Sequence, residues 1–128
     1  MLSVGVDIVE IGRIRRALER WGERFTGRLY TEDEVAYCRG RVPELAARFA
    51  AKEAISKALG TGIVGISWNE MEVLADRRGK PLVRLHGRAR ARAESLGLAE
   101  WAISLSHSDD HAVAFVVAMD GRAPDAAP

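Results

Sequence analysis

At 128 residues, 48% apolar and 29% charged, the chain has enough sequence for one compact soluble domain with a single core and none of the periodicity of a repeat array. Its single cysteine, Cys38, excludes an internal disulfide and has no metal-ligand spacing. No run approaches the roughly 18 apolar residues of a membrane span, and the start lacks the basic, apolar makeup of a signal peptide, so a reducing, cytoplasmic setting is expected. A net charge of +1 hides two arginine-rich patches, one from Arg13 to Arg20 and one from Arg77 to Arg92, which suit phosphates or an acidic protein partner.

In chain order, Val4, Val6 and Ile8 alternate with Gly5 and Asp7, which predicts a first strand with Gly5 and Asp7 on one face. Ile11, Ile14, Leu18 and Trp21 follow at helical spacing. Thr31-Glu32-Asp33-Glu34 has the form of a capping box and predicts a second helix starting there. Pro43 fits the first residue of a long third helix that stops at Gly60 and Gly62. Two strands, Trp68 to Leu74 and Pro81 to Leu85, flank a hairpin turn at Arg77-Arg78-Gly79-Lys80. A short helix from Gly87 to Leu96 and strands from Trp101 to Ser106 and Ala112 to Met119 complete the pattern. The class is α+β with mostly antiparallel strands, one domain over residues 1–120 and an Ala/Pro-rich tail at 121–128 that is expected to fray.

The long helix has a divided wheel. Arg48, Phe49, Lys52, Glu53, Ser56, Lys57 and Gly60 share one arc, and Ala47, Ala50, Ala51, Ala54, Ile55 and Ala58 share the other, so the alanine side allows close approach of another element. Glu53 and Lys57, at i,i+4, satisfy the spacing of an ordinary helix ion pair. Asp7, inside an apolar strand, needs compensation, either by capping the next helix or by binding a cation together with Glu53. Arg48, Lys52, Lys57 and Lys80 supply cations for a polyphosphate or, read more simply, a solvated face. His107 stands in a Ser104-Leu105-Ser106-His107-Ser108 turn, where it can bond a phosphate or transfer a proton. The Gly60-Thr61-Gly62 segment either admits a ligand to the backbone or only ends the helix.

Taken together, Gly5 to Arg13, Arg48 to Gly62, Gly79-Lys80-Pro81 and Ser104 to Ser108 resemble, in order, the motifs of holo-acyl-carrier-protein synthases, the short bacterial type of the 4′-phosphopantetheinyl transferase superfamily. The resemblance spans about residues 4 to 118. It implies that family's fold, a mostly antiparallel sheet packed on a long helix with shorter helices. The implied reaction is transfer of the phosphopantetheine arm of coenzyme A to a serine of apo-acyl carrier protein, releasing adenosine 3′,5′-bisphosphate. Asp7 and Glu53 would hold magnesium, and Lys57 would lie by the pyrophosphate. Arg48 and His107 would bind coenzyme A phosphates, with Gly60, Gly62 and Lys80 in the same motifs. Arg13 would meet the carrier.

Acyl carrier proteins are acidic, so Arg13, Arg16, Arg20 and Arg24 around Trp21 and Phe25 form a sensible docking surface. Either Glu53 or a metal-held water beside Asp7 would take the serine proton. The resemblance also implies a homotrimer with sites between protomers, Asp7, Glu53 and His107 coming from one and further coenzyme A contacts from the next. A non-catalytic coenzyme A or nucleotide-binding module is the alternative, although it would not need both carboxylates. A nucleic-acid partner is not expected, because aromatics are not interleaved with the arginines.

Overall fold

A computed structural model describes residues 1–62 and 64–121; the expected frayed end from Arg122 onward lies outside the described residues, as does Ile63. The elements run β1 (Leu2–Glu10), α1 (Ile11–Trp21), α2 (Glu23–Leu29), α3 (Glu32–Cys38), α4 (Val42–Leu59), a 3-10 turn at Trp68–Glu70, β2 (Met71–Ala75), β3 (Pro81–Leu85), α5 (Gly87–Ser95), β4 (Glu100–His107) and β5 (His111–Met119). Strands β1, β5 and β4 form one antiparallel sheet with β5 in the middle, and β2 pairs with β3 in a separate hairpin. No helix among the described residues is long and apolar enough to cross a membrane.

Helix α4 lies on the three-stranded sheet and forms the centre of the core. Ala50, Ala51, Ala54, Ala58, Ile55 and Leu59 are buried on it, and Ala112, Ala114, Val116 and Ala118 meet it from β5. Small residues on both sides bring the two backbones close. The approach is tightest at Gly5, where an added methyl would overlap the Ala54 carbonyl, so glycine is required by space. β1 therefore turns Gly5, Asp7 and Val9 toward α4. Its apolar residues Leu2, Val4, Val6 and Ile8 point the other way, and with Phe115 and Met119 they leave an exposed apolar face on the far side of the sheet.

The divided wheel of α4 does not correspond to a buried and a solvated side. Arg48, Lys52 and Ser56, on the charged arc, are as buried as the alanines, because α3, β2 and the 3-10 turn cover that side. Lys52 donates to Glu34 Oε1 at 2.7 Å and to the carbonyls of Met71 at 2.7 Å and Trp68 at 3.2 Å, which uses all three ammonium hydrogens. Glu34 in turn accepts from the amides of Thr31 and Val73, each at 2.9 Å. Lys52 is thus a structural tie between α3, α4 and β2, and both readings of it, as a phosphate-holding cation and as part of a solvated face, are corrected.

The capping box is present, with Thr31 as N-cap and Glu34 reciprocating. The carboxylate that closes the box is thus the one that neutralises Lys52. Two local expectations fail. Residues 68–70 are a 3-10 turn, not strand, because Ser67 and Glu70 form a second capping box whose side-chain bonds compete with extended pairing. Helix α2 is not foreseen; Gly22, at φ 52°, breaks the path after α1 and starts it. Burial pushes the Cys38 thiol up to about 11 despite nearby Arg48, leaving it a packing residue.

Candidate functional site

The predicted site residues fall into two groups on opposite sides of α4. The first is built by β1 and the middle of the helix. Asp7 projects from mid-strand, paired in register with Ala114, so it does not cap α1, whose N-cap is Glu10. Lys57 Nζ donates to Asp7 Oδ1 at 3.1 Å and to the Val6 carbonyl at 2.9 Å. The i,i+4 pairing of Lys57 with Glu53 is therefore replaced by a tertiary one. The Glu53 carboxyl, one turn before Lys57, has its proton affinity raised above the ordinary glutamate range by burial and then by the adjacent Asp7 charge, with Lys57 and Arg13 opposing.

Two carboxylates that repel one another and face a partly open edge are a fitting donor set for a hard cation. Among the described residues there is no cluster of three or more His, Cys, Asp or Glu. An ion here would complete its shell with water and substrate oxygens, the habit of magnesium.

The second group is a recess of about 200 Å³ on the other side of the helix, where Arg48 and His107 meet Tyr37, Glu44, Gly79 and Pro81. Arg48 is fixed by three contacts: Nε donates to the Val73 carbonyl at 3.0 Å, Nη1 to Glu44 Oε2 at 3.0 Å, and the guanidinium lies 4.5 Å over the Tyr37 ring. The β2–β3 turn brings Gly79, at φ 84°, and Pro81 to the recess. Asp76 Oδ1 holds that turn by accepting from the amides of Arg78 and Lys80. Lys80 itself is exposed beside the recess.

His107 thus joins Arg48 and not the carboxylates. On the sheet Asp7 is in register with Ala114 and Leu105, and Val9 with Ala112 and His107. Two strand spacings and two residues of rise separate Asp7 from His107 by roughly 12 Å, with α4 lying across the gap. Gly60 ends α4 at φ 75° beyond Lys57, and Gly62 follows at φ 59°; both are exposed.

Arg13 connects the carboxylates to a third feature. Its guanidinium lies 5.9 Å over Phe49, which stacks on Trp68 at 5.1 Å. These residues line a largely apolar recess of about 560 Å³ with Trp21, Arg24, Phe25 and Arg28. Arg20 packs its guanidinium over Trp21 at 4.9 Å, whereas Arg16 lies outside the recess. The sequence reading missed Tyr37, Glu44, Phe49 and Trp68 as parts of these recesses. Only Glu44 carried a local signal, its i,i+4 spacing to Arg48.

The sequence profile of the 4′-phosphopantetheinyl transferase superfamily matches residues 3–116. The chain is 54% identical over 126 residues to a protein of Herpetosiphon aurantiacus named holo-[acyl-carrier-protein] synthase, covering 93% of this chain and 99% of that one. A Dehalococcoides mccartyi protein of the same name is 48% identical over 120 residues, covering 94% and 100%. Among solved structures, the Helicobacter pylori holo-[acyl-carrier-protein] synthase in complex with coenzyme A superposes with a TM-score of 0.84 at 30% identity, over 91% of this chain and 99% of that one. The enzyme from Neisseria meningitidis gives 0.83 at 38% identity, over 92% and 98%.

Proposed function

Because the chain belongs to the 4′-phosphopantetheinyl transferase superfamily, we propose that it transfers the 4′-phosphopantetheine arm of coenzyme A to a serine of apo-acyl carrier protein, in a magnesium-dependent reaction that releases adenosine 3′,5′-bisphosphate. The observation that carries the reading is the pairing of Asp7 and Glu53 beside Lys57 on one side of α4, with Arg48 and His107 gathered on the other. A polyphosphate needs both halves, and a binding module would not need the carboxylates.

In the reaction the serine oxygen attacks the β-phosphorus of the pyrophosphate. A new P–O bond forms, and the bond from that phosphorus to the bridging oxygen breaks, leaving the nucleotide bisphosphate. Catalysis of this kind is chiefly positioning and charge stabilisation. Asp7 and Glu53 would hold magnesium, which would supply charge neutralisation for the pyrophosphate. Lys57, half-exposed and held by Asp7 and the Val6 carbonyl, directs its ammonium to the same charge. Either Glu53 or a water held beside Asp7 would accept the serine proton. Arg48 and His107 hold a coenzyme A phosphate, with Gly79 and Pro81 shaping the recess and Lys80 beside it.

We further propose a homotrimer in which one coenzyme A molecule spans the carboxylates of one copy and the Arg48–His107 recess of the next. Two features support this: the separation of the halves across α4, and the exposed apolar sheet face of Leu2, Val4, Val6, Ile8, Phe115 and Met119, which a second copy would cover. The carrier would dock on α1 and α2, where Arg13, Arg20, Arg24 and Arg28 surround the apolar recess and suit an acidic partner with an apolar anchor. Residues 1–120 would act as one domain in the cytoplasm.

The test is to incubate the protein with coenzyme A, magnesium and apo-acyl carrier protein and weigh the carrier. The expected result is a phosphopantetheine mass gain that chelation abolishes. No gain on any acyl carrier protein would contradict the enzyme reading, and a gain indifferent to chelation would contradict the metal.

A further inference from the structure

We propose that Glu44 sets how tightly the Arg48 recess holds its nucleotide, by competing with the incoming phosphate for the Arg48 guanidinium; this rests on the reading above that the recess takes coenzyme A. Arg48 is only 2% exposed, and two of its three contacts, the Val73 carbonyl and the Tyr37 ring, are neutral groups that orient it without cancelling its charge. Glu44 is different. It is 31% exposed, its Oε2 accepts from Arg48 Nη1 at 3.0 Å, and it is the one carboxylate lining a recess whose other charged or titratable members are Arg48, His107 and Tyr37.

A phosphate entering the recess therefore meets a negative charge already seated on the cation it needs. Like charges brought together at a desolvated contact oppose binding. Glu44 must either yield Nη1 to the phosphate or stay and repel it, and both cost affinity. The same competition acts on the product, so Glu44 favours release of the nucleotide bisphosphate after transfer. Its place in the first turn of α4 gives it an independent reason to be acidic, since the helix N-terminus favours negative charge. Replacing Glu44 by glutamine keeps an oxygen for Nη1 and removes the charge, so Arg48 stays oriented.

The experiment is calorimetric titration of coenzyme A, and separately of adenosine 3′,5′-bisphosphate, into the wild-type protein, Glu44→Gln and Arg48→Ala. Glu44→Gln is expected to bind both ligands about three- to tenfold more tightly, with a gain that shrinks as sodium chloride is raised, because part of the pair is open to solvent. Arg48→Ala is expected to weaken both. Weaker or unchanged binding by Glu44→Gln, or a gain that salt does not reduce, overturns the role of Glu44 even where Arg48→Ala weakens binding as expected. If Arg48→Ala binds as the wild type does, the recess is not the nucleotide's site, and both this proposal and the reading beneath it fail.

Discussion

Lys52 and Lys57 stand five residues apart on one helix, each paired with a carboxylate, yet they occupy different worlds. The Lys52–Glu34 pair is fully buried, 0% exposed on both sides, and every ammonium hydrogen has a protein acceptor. The Lys57–Asp7 pair is 52% and 21% exposed, with a second carboxylate, Glu53, alongside. A lysine saturated in a dry site has nothing left to offer a ligand, and removing it strands a buried charge. A lysine half in water beside two competing carboxylates contributes little to folding and remains available to substrate. Saturation of every donor by protein acceptors, not residue type, helical arc or burial alone, separates structure from chemistry on α4.

The largest expected effect that sharpens this contrast is on stability. Lys52→Met should lose about 3–5 kcal/mol in urea unfolding, since it leaves Glu34 charged and unpaired. Lys57→Met should change folding by less than about 1 kcal/mol while slowing transfer by about 10²- to 10³-fold, as expected for loss of one charge-stabilising donor. An exchange of these two outcomes would break the comparison. Asp7→Ala and Glu53→Ala should likewise abolish carrier loading while the far-ultraviolet circular dichroism stays that of the wild type; full rate in either would remove its metal role.

Gly5→Ala probes the close contact that places Asp7 beside Glu53, and should cost about 1–3 kcal/mol by overpacking against Ala54. An unfolding curve like the wild type's would contradict that packing.

The smallest effect concerns protonation. In metal-free protein the Glu53 carboxyl should titrate above the ordinary value of about 4.3, followed by carbon NMR. Asp7→Asn should bring it down by removing the neighbouring charge, and an unmoved midpoint would contradict the coupling. With its folded pKa above the unfolded one, Glu53 binds more proton in the folded chain between those two values. Its contribution to stability therefore falls as pH rises through that window.

Much of this was legible in the sequence where the cause is local. Thr31 with Glu34, Pro43 near the start of α4 and Gly60 at its end are set by backbone groups a few residues away. What escaped depends on what packs against what. The wheel of α4 separates charge from alanine correctly but cannot reveal that α3 and β2 cover the charged arc, so neither sequence reading of Lys52, phosphate cation or solvated face, anticipates its buried pair. The 3-10 turn at Trp68–Glu70 escapes because it runs directly into the Met71–Ala75 strand, while Ser67 and Glu70 bond locally. Asp7, Glu53 and His107 are candidate site residues from the sequence, but their division between two sides of α4 follows from β5 lying between β1 and β4, a pairing that no short spacing encodes.

In the proposed trimer, a working site takes Asp7 and Glu53 from one copy and Arg48 and His107 from another. Asp7→Ala and Arg48→Ala chains, each inactive alone, would be co-expressed with different tags, the mixed oligomers purified, and carrier loading measured. In a three-membered ring with sites between neighbours, every mixed ring brings two intact halves together at one of its three sites, so activity should recover toward about a third of the wild-type value. Mixed oligomers as inactive as either parent would contradict the account and return the whole site to a single chain.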